Sequence, residues 1–282
     1  LRVRLSLSPP RKKVIFVSKS MKILLTGDDG YTSYGTRILV HHLKKSHDLA
    51  IVGTKTQQSG VGGHISMKQI LSYGETTVDG IPAYWVDGYP IDALESSVGF
   101  FKEPYDLVIS GINWGANVGN GIPSGTVSAA IRSLNLQLAP KAIMVSWHLP
   151  SSHWTFQGKE TDDIGQYLDY PGSVVAQVIA LAIQQDYWGS DVLNINFPSE
   201  KSTTIRFTKP LDDMKLFYPY PVTRDEDNKT FRYRLETLMD TQSDMTSDSG
   251  AMLRGYISIS PWNKSMLNTS VYEKMKDQEI SL

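Results

Sequence analysis

Residues 107–134 read LVISGINWGANVGNGIPSGTVSAAIRSL. Three apolar residues, Leu107 to Ile109, and Ser110 run straight into glycine, as a buried strand does at its end. The far end is amphipathic: Val127, Ala130, Ile131 and Leu134 fall at the i, i+3, i+4 and i+7 positions of one helical face. Ser124 or Thr126 can cap that helix. Between strand and helix lies a loop with five glycines from Gly111 to Gly125. Strand, glycine-rich loop and helix in this order are one half of an α/β crossover, in which ligands bind beyond the carboxyl ends of the strands.

The same rhythm extends on both sides. KILLT (22–26) is a strand that stops at Gly27, residues 35–46 form a helix with Ile38, Leu39 and Leu43 on one face, and Leu49 to Val52 is a second strand. Residues 90–101 are helical, and Ala142 to Ser146 and Leu193 to Phe197 are further strands. SVVAQVIALAIQQ, from 173, is apolar nearly all round, as a helix packed in a core or against a second subunit would be. Apolar strands separated by helices predict an α/β fold with a mostly parallel sheet covered on both faces. Past about residue 200 the texture changes. Short strands are expected at Ile205 to Thr208, Phe231 to Leu235 and Tyr256 to Ser260, separated by Tyr/Pro-rich and polar stretches. The expected division is 21–200 for the core and 201–282 for an extension with hairpins used in oligomerisation.

Composition narrows the function. With 282 residues, 40% hydrophobic, the chain can bury a real core, and a net charge of −1 gives no nucleic-acid or membrane surface. No run is long and apolar enough for a membrane span. The absence of cysteine excludes disulfides, zinc–thiolate sites and cysteine nucleophiles, and fits a cytoplasmic setting. Residues 1–20 carry Arg2, Arg4, Arg11, Lys12, Lys13 and Lys19 without an acid. This stretch is expected to stand outside the fold, disordered, as upstream translation or a basic targeting segment.

Three loops can carry chemistry. Gly27-Asp28-Asp29-Gly30 comes directly after the first strand. Adjacent carboxylates there are costly unless a hard divalent cation such as Mg²⁺ or Mn²⁺ compensates them; a solvated Asp-Asp-Gly turn is the bland alternative. The glycine-rich loop lets backbone N–H groups approach an anion, and the helix start adds its positive dipole end. Asn113 and Asn117 can ligate a metal or hold phosphate, and Ser124 and Thr126 add hydroxyls. Ser59, in QQSGVGGH (57–64), is a ligand hydroxyl or a polar contact, and His64 is a candidate substrate contact. No phosphate-binding Gly-Lys-Ser/Thr ending, His-Glu-x-x-His pattern or Gly-x-Ser-x-Gly elbow occurs.

Together these loops resemble the SurE family, the stationary-phase survival proteins that act as 5′-nucleotidases. KILLTGDDG matches that family's strand and Asn-Asp-Asp-Gly, with Gly27 in place of the usual Asn, and SGINWGANVGNGIPSGTVSAA is similar to its glycine-rich segment. Weaker similarities lie at Asp87–Asp92, Asn196–Pro198 and Thr246–Pro261. The resemblance implies a Rossmann-like three-layer core with a C-terminal extension exchanged between subunits in a homodimer or homotetramer. It implies one divalent metal ion on Asp28, Asp29, Ser59 and Asn113, with phosphate on Asn117, Ser124, Gly125 and Thr126. It implies hydrolysis of nucleoside 5′- and 3′-monophosphates and short polyphosphate, with Asp28 or Asp29 as the base. An aspartyl-phosphate phosphatase usually has D-x-D rather than tandem aspartates. A receiver-like, non-catalytic magnesium- or nucleotide-binding module is the rival from another class, but it needs a phosphoacceptor Asp where the third strand leads to Asn113.

Overall fold

The structure, a computed structural model, describes residues 20–101, 104–154, 157–217, 222–233, 244–265 and 269–278. The expectation for the basic segment 1–20 lies outside the described residues, Ser20 excepted.

A nine-stranded sheet organises the chain. Its first strands in sequence are β1 (Lys22–Thr26), β2 (Asp48–Thr54), β3 (Tyr73–Val78), β4 (Ile81–Val86) and β5 (Leu107–Trp114). They are followed by β6 (Ala142–Trp147), β7 (Val192–Phe197) and β8 (Ile205–Phe207). A ribbon of β9 (Val222–Asp225) and β10 (Thr230–Tyr233) stands apart, and β11 (Ile257–Trp262) returns to the main sheet. The order across that sheet is β3-β4-β2-β1-β5-β6-β7-β11-β8. The six strands from β4 to β7 are mutually parallel, as the apolar runs predict. The antiparallel pairs are β3 with β4 and β11 with β7.

Side-chain alternation along β1 builds the three layers. Ile23 and Leu25 point to one face and pack with Ile38 and Leu39 of α1 (Tyr34–Leu43) and Val175 and Ile179 of α4 (Val174–Gln184). Leu24 points to the other face, among Ala93 and Leu94 of α2 (Pro90–Phe100) and Val127 and Ala130 of α3 (Gly125–Asn135). Each such Leu or Ile, fully buried, contributes about 1.5–3 kcal/mol, so the sandwich of helix, sheet and helix is held along its whole length. Two serines start helices: the Ser33 hydroxyl accepts from Thr36 N at 3.1 Å and the Ser124 hydroxyl from Val127 N at 3.2 Å. Of the two capping candidates for α3, Ser124 is the cap. Among the described residues no helix is long and apolar enough to cross a membrane.

Three features depart from expectation. The hairpin β3–β4 has no counterpart among the expected elements, although its turn, Asp79-Gly80, has both residues at positive φ (+47° and +84°) and the Asp-Gly sequence that such two-residue turns favour. Strand β5 does not stop at Ser110. It continues to Trp114 through an irregularity in its pairing with β6 between Ser110 and Asn113. Gly111 permits this: its φ is +126°, and a Cβ there would lie 2.2 Å from the Val145 carbonyl oxygen. A glycine after an apolar run is a common punctuation mark, which is why the expected strand closes at Gly111; here glycine bends the strand instead. Finally, the chain after residue 200 divides between two tasks. Strands β8 and β11 extend the core sheet, and the ribbon β9–β10 leaves it.

Candidate active site

The carboxyl ends of β1 and β5 lie side by side, and the residues beyond each strand meet those beyond the other. Asp28 and Asp29 are both buried just past β1. The Thr126 hydroxyl, at the start of α3, donates to Asp28 Oδ1, and Trp114 N, at the end of β5, donates to Asp29 Oδ2 at 2.9 Å. Asn113, on the extended part of β5, sends its amide N–H to the Gly115 carbonyl at 2.8 Å, which turns Oδ1 toward Thr126 at 3.1 Å. Gly27, Asp28, Asp29, Ser33, Gly111, Ile112, Asn113 and Thr126 line one small depression.

The electrostatics of this depression are unbalanced. Burial pushes the Asp28 carboxyl above the usual carboxylate range, although the Thr126 hydroxyl and the backbone N–H groups of Thr126 and Gly125 donate to it. Asp29 is held well above that range, first by burial and then by the charge of Asp28, against the opposing hydrogen bonds from Trp114 N and the Gln57 side chain. Among the described residues neither carboxylate pairs with a lysine, arginine or histidine. The single Thr126 hydroxyl hydrogen cannot serve both Asp28 and Asn113 Oδ1, so the amide oxygen also faces the depression short of a donor. Among the described residues no group of three or more His, Asp or Glu could hold a metal. Two carboxylates with one oriented amide oxygen are a different donor set, all oxygen, and that suits a hard divalent cation.

The structure therefore brings Asp28, Asp29, Asn113 and Thr126 together, with Gly125 beside them. Gly125 is glycine for a reason of space: a Cβ there would sit 2.8 Å from both Cβ and Oδ2 of Asp28 and 3.0 Å from Pro90 Cγ. Ser124 is engaged as the helix cap. Ser59 is not brought in; it is exposed, it does not line the depression, and its hydroxyl donates to the Trp154 carbonyl at 3.2 Å. Gln57 stands nearer, donating to Asp29 and, at 2.6 Å, to that same Trp154 carbonyl.

Asn117 is buried in an amide network. Its N–H donates to Asn196 Oδ1 at 2.8 Å and its side-chain amide to Ser146 Oγ at 2.9 Å, while its carbonyl accepts from Asn194 at 2.8 Å and Asn196 at 3.0 Å. One amide hydrogen of the side chain is left for a ligand. The weaker similarities at Asn196–Pro198 and Thr246–Pro261 touch Asn196 and Asp248, but they assign neither this network nor a site role to Asp248. Asp248 is fully buried, accepts from Gly119 N at 2.8 Å and Leu211 N at 3.0 Å, and so ties the glycine-rich loop to the last part of the chain. Its only local signal is Ser247-Asp248 at the start of a short helix, α5 (Asp248–Leu253). Asp92, also buried, accepts from Ser66 N at 2.9 Å and Ser66 Oγ at 2.8 Å and anchors the loop after β2. No carboxylate stands at the end of β5, where a receiver-like phosphoacceptor would have to be.

The family model described as "Survival protein SurE" matches residues 23–215. A "5'-nucleotidase SurE" of Syntrophus aciditrophicus is 32% identical over 275 residues, 91% of this chain and 93% of the relative. One of Clostridium beijerinckii is 30% identical over 246 residues, 86% of this chain and 92% of the relative. The crystal structure of a SurE protein from Aquifex aeolicus matches in fold with a TM-score of 0.67 at 24% identity, over 90% of this chain and 98% of that one. The family model covers the strand β1 aspartates, the bent strand β5 and the glycine-rich loop together, and the chain belongs to the SurE family.

Proposed function

We propose that this chain is a metal-dependent phosphomonoesterase that releases phosphate from nucleoside monophosphates. The observation that carries the reading is the pair Asp28 and Asp29, buried beside the start of α3 without a cationic partner among the described residues. The names of the relatives, 5'-nucleotidase SurE, support the substrate class. Asp28, Asp29 and Asn113 Oδ1 would hold one divalent cation, Mg²⁺ or Mn²⁺, and Ser59 would join them only after leaving the Trp154 carbonyl. When bound, the cation neutralises the two carboxylates and withdraws electron density from a phosphate oxygen.

The remaining chemistry belongs to the protein's own groups. The dipole end of α3 receives phosphate oxygens, with Ser124 at the rim, while the N–H groups of Gly125 and Thr126 stay on Asp28. The free amide hydrogen of Asn117 donates to the same group, and the asparagine network keeps it aimed. One of the two carboxylates accepts the proton of the attacking water. We infer further that the protein acts in the cytoplasm and self-associates, as a homodimer or homotetramer, through its last part. Phe231 and Tyr233 stand exposed on the ribbon β9–β10, and Val271 and Tyr272 on α6 (Thr269–Met275), which supports that use.

The test is phosphate release from 5′- and 3′-monophosphates and short polyphosphate, in EDTA and with Mg²⁺ or Mn²⁺ restored, for wild type and Asp28→Ala. Release that returns with metal and is lost in the variant is expected. Folded protein that binds nucleotide and releases nothing under either metal would sink the proposal and leave a non-catalytic binding module.

A further inference from the structure

The floor of the site offers carboxylates, amides, a hydroxyl and helix N–H groups. These recognise phosphate and cation, but none of them presents a flat apolar face to a nucleobase. Such a face lies on the flank where the loop after β2 crosses the starts of α2 and α3. That loop is pinned twice. Gly62 N donates to the Pro123 carbonyl at 2.8 Å, and Ser66 is held by Asp92 through its N–H and its hydroxyl. The first pin demands glycine, since Gly62 has φ +57° and a Cβ would lie 2.9 Å from the Ile122 carbonyl oxygen.

His64 sits between the two pins, exposed, with its ring centroid 4.1 Å from that of Tyr89 and its plane tilted 59° to it, so that each ring offers a face of its own. Tyr89 is fixed in turn, its N–H donating to Asp92 at 2.9 Å, and it is only half-buried. The next residue, Pro90, is the one whose ring abuts Gly125 beside Asp28. The pair therefore stands one residue away from the point where the starts of α2 and α3 meet the aspartates. Two rings held by buried anchors, yet left open to solvent, are poorly explained as packing. Stacking on a base explains them, because every base has a π face.

We propose that His64 and Tyr89 form the nucleobase platform of the site, a proposal that rests on the phosphomonoesterase reading above. The ligand class is a nucleoside monophosphate whose phosphate enters at the start of α3 and whose base lies against these two rings. Stacking is tolerant of base identity, so the platform selects nucleotides over bare sugar phosphates more than it selects one base over another.

The experiment compares adenosine 5′-monophosphate with ribose 5-phosphate, which carries the same phosphate and sugar without the base. It uses wild type, His64→Ala, Tyr89→Ala and Tyr89→Phe. The expected result is a KM for the nucleotide raised roughly 10-fold in each alanine variant, kcat little changed, ribose 5-phosphate turnover unchanged, and Tyr89→Phe behaving as wild type. Equal losses on both substrates would mean that the rings only hold the loop in place, and would overturn the platform. Unchanged nucleotide KM in both alanine variants, or a wild type whose KM is the same for both substrates, would also overturn it while leaving the phosphomonoesterase intact. A wild type that releases phosphate from neither substrate would overturn both readings together.

Discussion

Gly125→Ala is the sharpest perturbation the site offers, because it adds one carbon at a known place. The new Cβ would stand 2.8 Å from Asp28 Cβ and Oδ2, where ordinary contact begins at 3.4 Å. Some group must therefore move by about 0.6 Å, the difference of those two distances. The backbone is not the obstacle: Gly125 begins α3, and its φ is not in the left-handed region. Alanine favours the helix by up to about 1 kcal/mol, while overpacking costs about 1–3 kcal/mol, so the net loss of stability lies between about 0 and 3 kcal/mol. The displaced group is Asp28, short and held by Thr126. A shift of about 1 Å at a reacting centre can cost on the order of 100-fold in rate, so a loss of roughly 10-fold or more in kcat is expected from a variant that still folds. Urea unfolding and metal-supported phosphate release, measured on the same preparation, separate the two effects. Gly99→Ala, in α2 with nothing within 4 Å of the added carbon, is the control and should be neutral or slightly stabilising. Full activity in Gly125→Ala would refute the claim that the position of Asp28 against α3 matters for turnover.

Neighbouring features lead to other expected outcomes. Asp29→Asn removes one of two uncompensated buried charges. The metal-free protein should melt higher than wild type in a thermal scan, and the upward shift in Tm that Mg²⁺ or Mn²⁺ gives the wild type should vanish; a lower Tm would contradict the electrostatic account. Burial pushes the Asp248 carboxyl from 3.8 up to about 6. A raised acid is stabilising below its unfolded value and loses that contribution as pH rises through the folded one. Wild type should accordingly lose on the order of 3 kcal/mol between roughly pH 4 and pH 6–7 relative to Asp248→Asn. Parallel stability–pH curves for the two proteins would rule this out. Gly27→Asn should fold within about 0.5 kcal/mol of wild type and keep its activity, since a Cβ there meets only Gly111 N, at 3.5 Å, and Gly111 Cα, at 3.8 Å; a drop of several degrees in Tm would show that the space is not available.

What could be read from the sequence was what is locally encoded. The strand β1 run, the tandem aspartates and the face of α3 each announce themselves within a dozen residues and stand where their local patterns put them; the glycine-rich loop does so only after Trp114, since β5 runs on through its first residues. Strand β3 escapes such a reading because it is an edge strand whose middle, GETT, is polar and mostly exposed, so no apolar alternation marks it. Ser59 illustrates a different limit. Its type and loop suited the site, but its hydroxyl is taken by the Trp154 carbonyl, 95 residues away, and no local pattern reports that competition. The asparagine network is illegible for the same reason, since Asn117 meets Asn194 and Asn196 only when β7 docks beside β6. Tertiary contacts decide these residues, and propensity has nothing to say about them.

The distant ties of the glycine-rich loop set an order in time. Asp28, Asp29, Asn113 and Thr126 have all been made by the time residue 126 is added to a growing chain. The loop between the strand and the helix that carry two of them is nevertheless fastened by Asn194, Asn196 and Asp248. A ribosome-bound fragment thus holds these chemical groups before the residues that fasten the loop have been made. The last of these ties closes only once Asp248 has been added and reaches Gly119 across 129 residues.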